Sequence, residues 1–225
     1  MGLMSKRRPG SNRAPVHEED LPPETPEEER RAARMRLVAA RRLGGLTVVL
    51  DGVHDPHNIS AVLRSAEGFG LTSAHLIGQA MDLPPNRAIT RGCEKWLDLH
   101  YHNDPDACAD ALEAQGFALF AAVPDRTAPC LDELDFSRKI AFVFGAERDG
   151  ISQRLLERSP GRYQIPMPGF SQSLNVSVAA AISIHVGATA RRRLLGSDTD
   201  LTKPEVRALA ELWISRDETR NHPPH

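Results

Sequence analysis

The chain predicts an α/β fold with a mostly parallel sheet covered by helices on both faces. Three observations carry this. Short runs such as LTVVL at 46–50, FALFAAV at 117–123 and IAFVFG at 140–145 are apolar on both faces, as strands buried from two sides must be. Segments with helical apolar spacing alternate with them, which is the order that yields βαβ units. The helical segments end at glycines, including Gly70 and Gly116, where a left-handed residue stops a helix.

Residues 1–26 are rich in Pro, Gly, Asn and Glu and read as a flexible tail. Residues 27–43 form an expected helix rich in Glu, Arg and Ala, ended by Gly44 and Gly45, so that 27–45 stands apart as an N-terminal arm. The core domain spans 46–195. LTVVL is its first strand, and a helix follows over Ile59–Phe69, with Ile59, Val62, Leu63, Ala66 and Phe69 on its apolar face. AHLIG at 74–78 is the second strand and KWLDLHY at 95–101 a third. A helix over Asp104–Gln115 leads to the strands at 117–123 and 140–145. Ser152 opens a short helix, YQIP at 163–166 is a last strand, and 175–190 is a long apolar helix. Residues 196–225 hold a final helix and a polar tail: Thr202, Pro204 and Glu205 start that helix, and Val206, Leu209, Ala210 and Trp213 form its stripe.

Composition narrows the function. Formal net charge is −2, yet the arginines cluster: Arg30, Arg31, Arg34, Arg36, Arg41 and Arg42 follow an acidic stretch at 18–29, and Arg191, Arg192 and Arg193 form a second group. Such patches either bind phosphate or lie on solvated helix faces paired with Glu27–Glu29. Cys93, Cys108 and Cys130 form no CxxC pair, so reduced thiols rather than a disulfide or zinc framework are expected. His54 and His57 have metal-like spacing but no completing ligand, and no metal is expected. No secretory signal or membrane-spanning run is read, which makes a cytoplasmic protein the expectation.

No GxGxxG follows the first strand and no GxxxxGK[ST] is present, which argues against dinucleotide and nucleoside-triphosphate sites. Polar residues concentrate instead in three segments: DPHNISAVLRSAEGFG around Asn58 and Arg64, FVFGAERDGIS around Glu147, and IPMPGFSQSLNVSVAAA around Pro166–Val178. Each has a plain reading. Asn58 after Pro56 serves as a helix N-cap, as do Ser173 or Asn175, and GAERDG is a turn after a strand. Each also has a site reading. Gly145 ends a buried strand, where ligands of parallel sheets gather. Glu147 is an acceptor for an arginine or a ribose hydroxyl. Arg64, in an otherwise apolar helix, needs a partner, which either Glu147 or a phosphate supplies. Ser173 lacks a His–Asp pair in its segment, which argues against a hydrolase triad.

The three segments, in this order, resemble motifs 1, 2 and 3 of the SpoU branch of the SPOUT RNA 2'-O-methyltransferases, over about residues 46–193. GCEKWLDLH and PEVRALAELW resemble the family members that act on guanosine-18 of tRNA. The resemblance implies a SPOUT-type sheet with a deep C-terminal trefoil knot, flanked by terminal helices. It implies S-adenosylmethionine held by Gly145, Ile165, Met167, Ser173 and Leu174. It implies a homodimer packed through the Asn58–Phe69 and 175–190 helices. The implied reaction is methyl transfer to the ribose 2'-hydroxyl of guanosine-18 in the tRNA D-loop. Arg64 is the implied central catalytic residue, with Asn58, Glu147, Ser173 and Asn175 completing the wall. Arg30, Arg31, Arg34, Arg41, Arg42, Arg191, Arg192 and Arg193 are placed by it against tRNA phosphates. Methylation of another tRNA or ribosomal RNA nucleotide, or a non-catalytic RNA-binding dimer, are the competing expectations. The long acidic extension and Asp149 depart from the family pattern by bringing negative charge near the RNA path.

Overall fold

The computed structural model describes residues 27–78 and 92–221. The expected tail over 1–26 and the end of the C-terminal tail lie outside the described residues. Six strands, β1 (Leu46–Asp51), β2 (Ser73–Ile77), β3 (Asp98–His102), β4 (Ala118–Ala122), β5 (Ile140–Gly145) and β6 (Gly161–Tyr163), form one sheet in the order β3-β2-β1-β5-β4-β6. Every pairing is parallel.

β1 and β5 hold the centre because their side chains are apolar on both faces. Val48, Leu50, Phe142 and Phe144 join the cluster beneath α2 (Pro56–Gly68) and α5 (Val176–Leu195). Val49, Ala141 and Val143 alternate to the other face, beneath α3 (Pro105–Ala114) and α4 (Gln153–Arg158). Gly187 lets α5 approach β5 closely: a Cβ there would lie 2.8 Å from the Phe142 ring. The buried Tyr163 hydroxyl donates to Ser183 at 2.8 Å and ties β6 to the same helix.

The terminal helices α1 (Glu27–Ala39) and α6 (Lys203–Asn221) pack on each other through Met35, Ala39, Ala210 and Trp213. The α6 start matches its sequence signature: the Thr202 backbone donates to Glu205 Oε2 at 2.7 Å and the Glu205 backbone donates back to Thr202 Oγ1 at 3.4 Å. Among the described residues no helix is long and apolar enough to cross a membrane.

Several boundaries differ from the sequence reading. α1 stops at Ala39 rather than 43, because Leu43 turns into the core and its backbone donates to Gly70 at 2.7 Å. The third strand begins at Asp98, since Cys93–Trp96 forms a 3-10 turn that sets Trp96 against Trp213. The last strand ends at Tyr163: Gln164 leaves β4 and bonds Pro129 and Leu131 instead. α5 runs on to Leu195, where Gly196 at φ 61° caps it.

Candidate active site

β1 and β5 are adjacent, and their final pair is Asp51 with Gly145. The chain leaves β1 through α2 towards β2 on one side, and leaves β5 through α4 towards β6 on the other. Loops that diverge this way open a crevice at the carboxyl ends of the strands. A cavity of about 1040 Å³ lies there. Its walls come from the loop after β4 (122–126), the loop after β5 (144–151) and the segment 164–179 after β6.

Gly145, Glu147, Ile165, Met167, Ser173, Leu174 and Asn175 all line this cavity. Gly145 is glycine for the loop's own closure. A Cβ there would sit 2.0–2.2 Å from the backbone of Gly150 and Ile151. Ala146 and Gly150 exchange two backbone hydrogen bonds, at 3.1 and 2.9 Å, that fold this loop back over the strand end. Asp51 anchors the loop from below by accepting the Ser152 backbone N–H at 2.7 Å.

Asn58 does not cap its helix. Asp55 does, accepting the His57 backbone N–H at 2.9 Å, with Pro56 at the first helical position. The Asn58 side chain is thereby free to reach across, and its Nδ2 donates to Glu147 Oε1 at 2.5 Å. Asn175 Nδ2 donates to Asn58 Oδ1 at 3.2 Å, while Asn175 Oδ1 accepts the Ser177 backbone N–H at 2.9 Å and so caps α5. One side chain from each of the three sequence segments thus meets in a single hydrogen-bonded row.

Arg64 stands elsewhere. It is exposed on the outer face of α2, does not line the cavity, and makes no hydrogen bond or ion pair among the described residues. The expectation of a buried or half-buried arginine held by Glu147 is corrected: Glu147 is bonded to Asn58.

The arginine clusters divide in two. Arg42 is 2% exposed, with Nη2 on Glu67 at 2.5 Å, Nη1 on two backbone carbonyls and its guanidinium 5.0 Å from the Trp213 ring centre. Arg191 is 7% exposed and bonds Asp200 at 2.5 Å together with the carbonyls of Phe136 and Arg138. Arg192 bonds the carbonyls of Arg41, Phe69 and Asp198. These three clamp the terminal segments onto the core, and their guanidinium groups are engaged within the chain, unlike the free surface positions that contact with phosphates calls for. Buried guanidinium groups need such acceptors, and helix ends and turns offer carbonyls. Arg34 and Arg193 are exposed, Arg30 and Arg41 half-buried, and Arg31 pairs with Asp217 at 2.8 Å. Arg30, Arg31 and Arg34 line a second cavity of about 630 Å³ with Trp96 and Trp213.

Sequence reasoning missed Arg126 and Asp51. Arg126 lines the cavity from a turn held by Asp125, which accepts the Thr127 backbone N–H at 2.8 Å. The PDRT string carries that turn signal, but nothing local aims it at a site. Phe170, in the segment after β6, is fully exposed beside the cavity wall.

The cavity suits a nucleoside-bearing sulfonium. Phe144, Ile165, Met167, Leu174 and Ala179 give an apolar wall for a flat base, and Glu147, Ser173 and the loop backbone give polar groups for a ribose and an amino acid.

The profile of the SpoU rRNA Methylase family matches residues 45–185. A tRNA (guanosine(18)-2'-O)-methyltransferase of Thermus thermophilus is 35% identical over 190 residues, covering 84% of this chain and 97% of its own. The A. aeolicus TrmH/SpoU tRNA modifying enzyme superposes with a TM-score of 0.76 at 28% identity, over 84% of this chain and 98% of its own. The SpoU methyltransferase AviRb of Streptomyces viridochromogenes, solved in complex with AdoMet, superposes with a TM-score of 0.58 at 25% identity, over 67% of this chain and 61% of its own. With the three sequence segments joined at one crevice and the family profile spanning the whole of it, the chain belongs to the SpoU methylase family.

Proposed function

We propose that the chain transfers a methyl group from S-adenosylmethionine to the ribose 2'-hydroxyl of guanosine-18 in the D-loop of tRNA, and does so as a homodimer. The observation that carries the reading is the row Glu147–Asn58–Asn175 beside the 1040 Å³ cavity at the β1/β5 switch point. The segments 144–151 and 164–179 wall it, at the place where the resemblance implies a trefoil knot. The names of the relatives support tRNA and guanosine-18 as the target.

The bound cofactor supplies a sulfonium methyl that is already electrophilic. The chain's own residues then have two tasks: to hold the ribose in line and to favour the developing oxyanion. Asn58 and Asn175 fix the wall beside the methyl donor. Arg64 carries a permanent positive charge, which suits it to hold a phosphate and to stabilise the oxygen as its proton leaves, rather than to act as a base.

Arg64 lies away from the cavity of its own subunit, on a face that also carries the exposed Gly68 and the half-buried Ala61 and Ser65. Beside it, α5 exposes Val178, His185 and Thr189 and half-exposes Ala181 and Ile182 at helical spacing. Small and apolar residues on two adjoining helices suit an interface between copies. In that dimer Arg64 serves the cavity of the partner subunit. The reading is tested by incubating unmodified tRNA with the protein and S-adenosylmethionine and mapping the product. A 2'-O-methyl group at guanosine-18 supports it. Methylation confined to another nucleotide, or to ribosomal RNA, overturns the assigned target.

A further inference from the structure

We propose that His75, His102 and Cys108 form a binding site for one divalent cation of the zinc type, outside the methyl-transfer cavity. His75 comes from β2, His102 from the end of β3 and Cys108 from α3. Their ligand atoms all lie within 4.8 Å of one another. None of the three lines the cavity described above.

The topology brings them together. β2 and β3 pair with His75 opposite His100 and Ile77 opposite His102. Alternation along each strand turns all four side chains to the face that α3 covers. The chain leaves β3 and enters α3 at Asp104, whose carboxylate accepts the Ala107 backbone N–H at 3.0 Å. One turn later Cys108 lies over the two strands.

Hydrophobic packing does not account for this arrangement. His75 is 1% exposed and Cys108 fully buried, in a layer otherwise built from Val49, Ile77, Leu112 and Leu119. His75 Nδ1 and His102 Nε2 face each other at 2.9 Å, their rings stacked 5.2 Å apart. The outer face of His75 is covered by His100, whose ring is 4.6 Å away and whose Nε2 contacts Asp98 at 3.1 Å.

Two imidazoles and a thiolate select zinc, cobalt or copper over magnesium or calcium, which prefer oxygen. Metal–nitrogen bonds of about 2.0–2.1 Å in a tetrahedral site place two ligand nitrogens roughly 3.3 Å apart. The present 2.9 Å therefore has to open by only a few tenths of an ångström. On binding, the thiol S–H bond breaks, the sulfur–metal bond forms and one proton passes to solvent. The proton shared between His75 Nδ1 and His102 Nε2 moves to the other ring nitrogen of its own imidazole, so that both rings coordinate as neutral lone-pair donors with no change of charge. The described residues offer three ligands, which leaves a fourth position to water. Such a tie would pin β3, an edge strand that is only half covered, to β2 and α3.

The sequence reading expected no metal because His54 and His57 lack a completing ligand and no CxxC pair is present; His75, His102 and Cys108, 27 and 6 positions apart, form no motif that would have drawn notice. The test uses the full chain, stripped by chelation and titrated with cobalt(II) as a spectroscopic probe, then with zinc(II). One equivalent per chain should give tetrahedral cobalt bands with a thiolate charge-transfer band, and zinc should displace them. Cys108→Ser should abolish the charge-transfer band, and His102→Asn should weaken binding at least tenfold. Each variant, measured against its own metal-free midpoint, should lose the zinc-dependent rise that the parent shows. No stoichiometric binding by the parent protein would overturn the proposal and leave a buried, proton-sharing histidine pair. Bands that survive both substitutions would overturn it too, by placing the metal at other histidines or thiols.

Discussion

At the scale of single residues, the site depends on side chains released from local duties. Asn58 reaches Glu147 because Asp55 has taken over the cap of α2. Arg64→Ala is expected to lower kcat by about 10²–10³-fold, the range seen when one charge-stabilising donor is removed, with an unchanged circular dichroism spectrum. Near-normal methyl transfer would remove Arg64 from its assigned role. Gly145→Ala drives a methyl group into the Gly150–Ile151 backbone and should cost about 1–3 kcal/mol in urea unfolding. It should also weaken S-adenosylmethionine binding, measured by calorimetry, because the loop after β5 can no longer fold back. The glycine was legible in the sequence as a strand-end residue. Its reason was not, since the atoms it avoids belong to a turn that closes only in three dimensions.

At the scale of elements, the arginine clusters show how charge in a sequence divides between scaffold and surface. The α5 end places Arg191 and Arg192 inward and Arg193 outward, as a 3.6-residue turn requires of three consecutive side chains. Asp200 accepts from Arg191 and from the backbone N–H groups of Gly44 and Gly45, at 2.6 and 2.9 Å, joining both ends of the core domain. Asp200→Ala leaves a buried guanidinium without its charge partner and should destabilise by about 3–5 kcal/mol in denaturant titration. The exposed arginines behave differently. Arg34→Ala and Arg193→Ala should each weaken tRNA binding and lower the salt dependence of log K by about 1. Equal salt slopes for parent and variants would remove these two from the RNA surface. The clusters were plain in the sequence, but which members turn inward depended on the register of α5 against the turn at 41–45 and the segment 198–200, positions distant along the chain.

At the scale of the whole molecule, α2 and α5 lie side by side and leave a continuous outer face with Arg64 upon it. Val178, 45% exposed at the start of α5, is a sensitive position on that face. Val178→Glu should convert dimers to monomers in sedimentation and reduce methyl transfer with them. A complementation experiment separates assembly from chemistry. Arg64→Ala and Gly145→Ala chains, each impaired alone, should regain activity when unfolded together and refolded. In the mixed dimer one intact cavity meets the Arg64 of the other subunit. Failure of mixed dimers to recover activity would place Arg64 in service of its own subunit.

The sequence by itself determined the alternation of strands and helices, the helix start at Thr202, and the three segments that carry the site; it left the cap of α5 open between Ser173 and Asn175. These follow from interactions within a few residues, namely apolar periodicity, side-chain-to-backbone caps and glycine turns. Tertiary structure alone decided that Asn58, Glu147 and Asn175 share one hydrogen-bonded row, that Arg42, Arg191 and Arg192 are scaffold, and that Arg64 stands outside its own cavity. It also gathered His75, His102 and Cys108, which no spacing connects. The physical reason is common to all four: each depends on which strands are neighbours and on which face a side chain leaves its helix, and both are settled by packing between segments far apart in the chain.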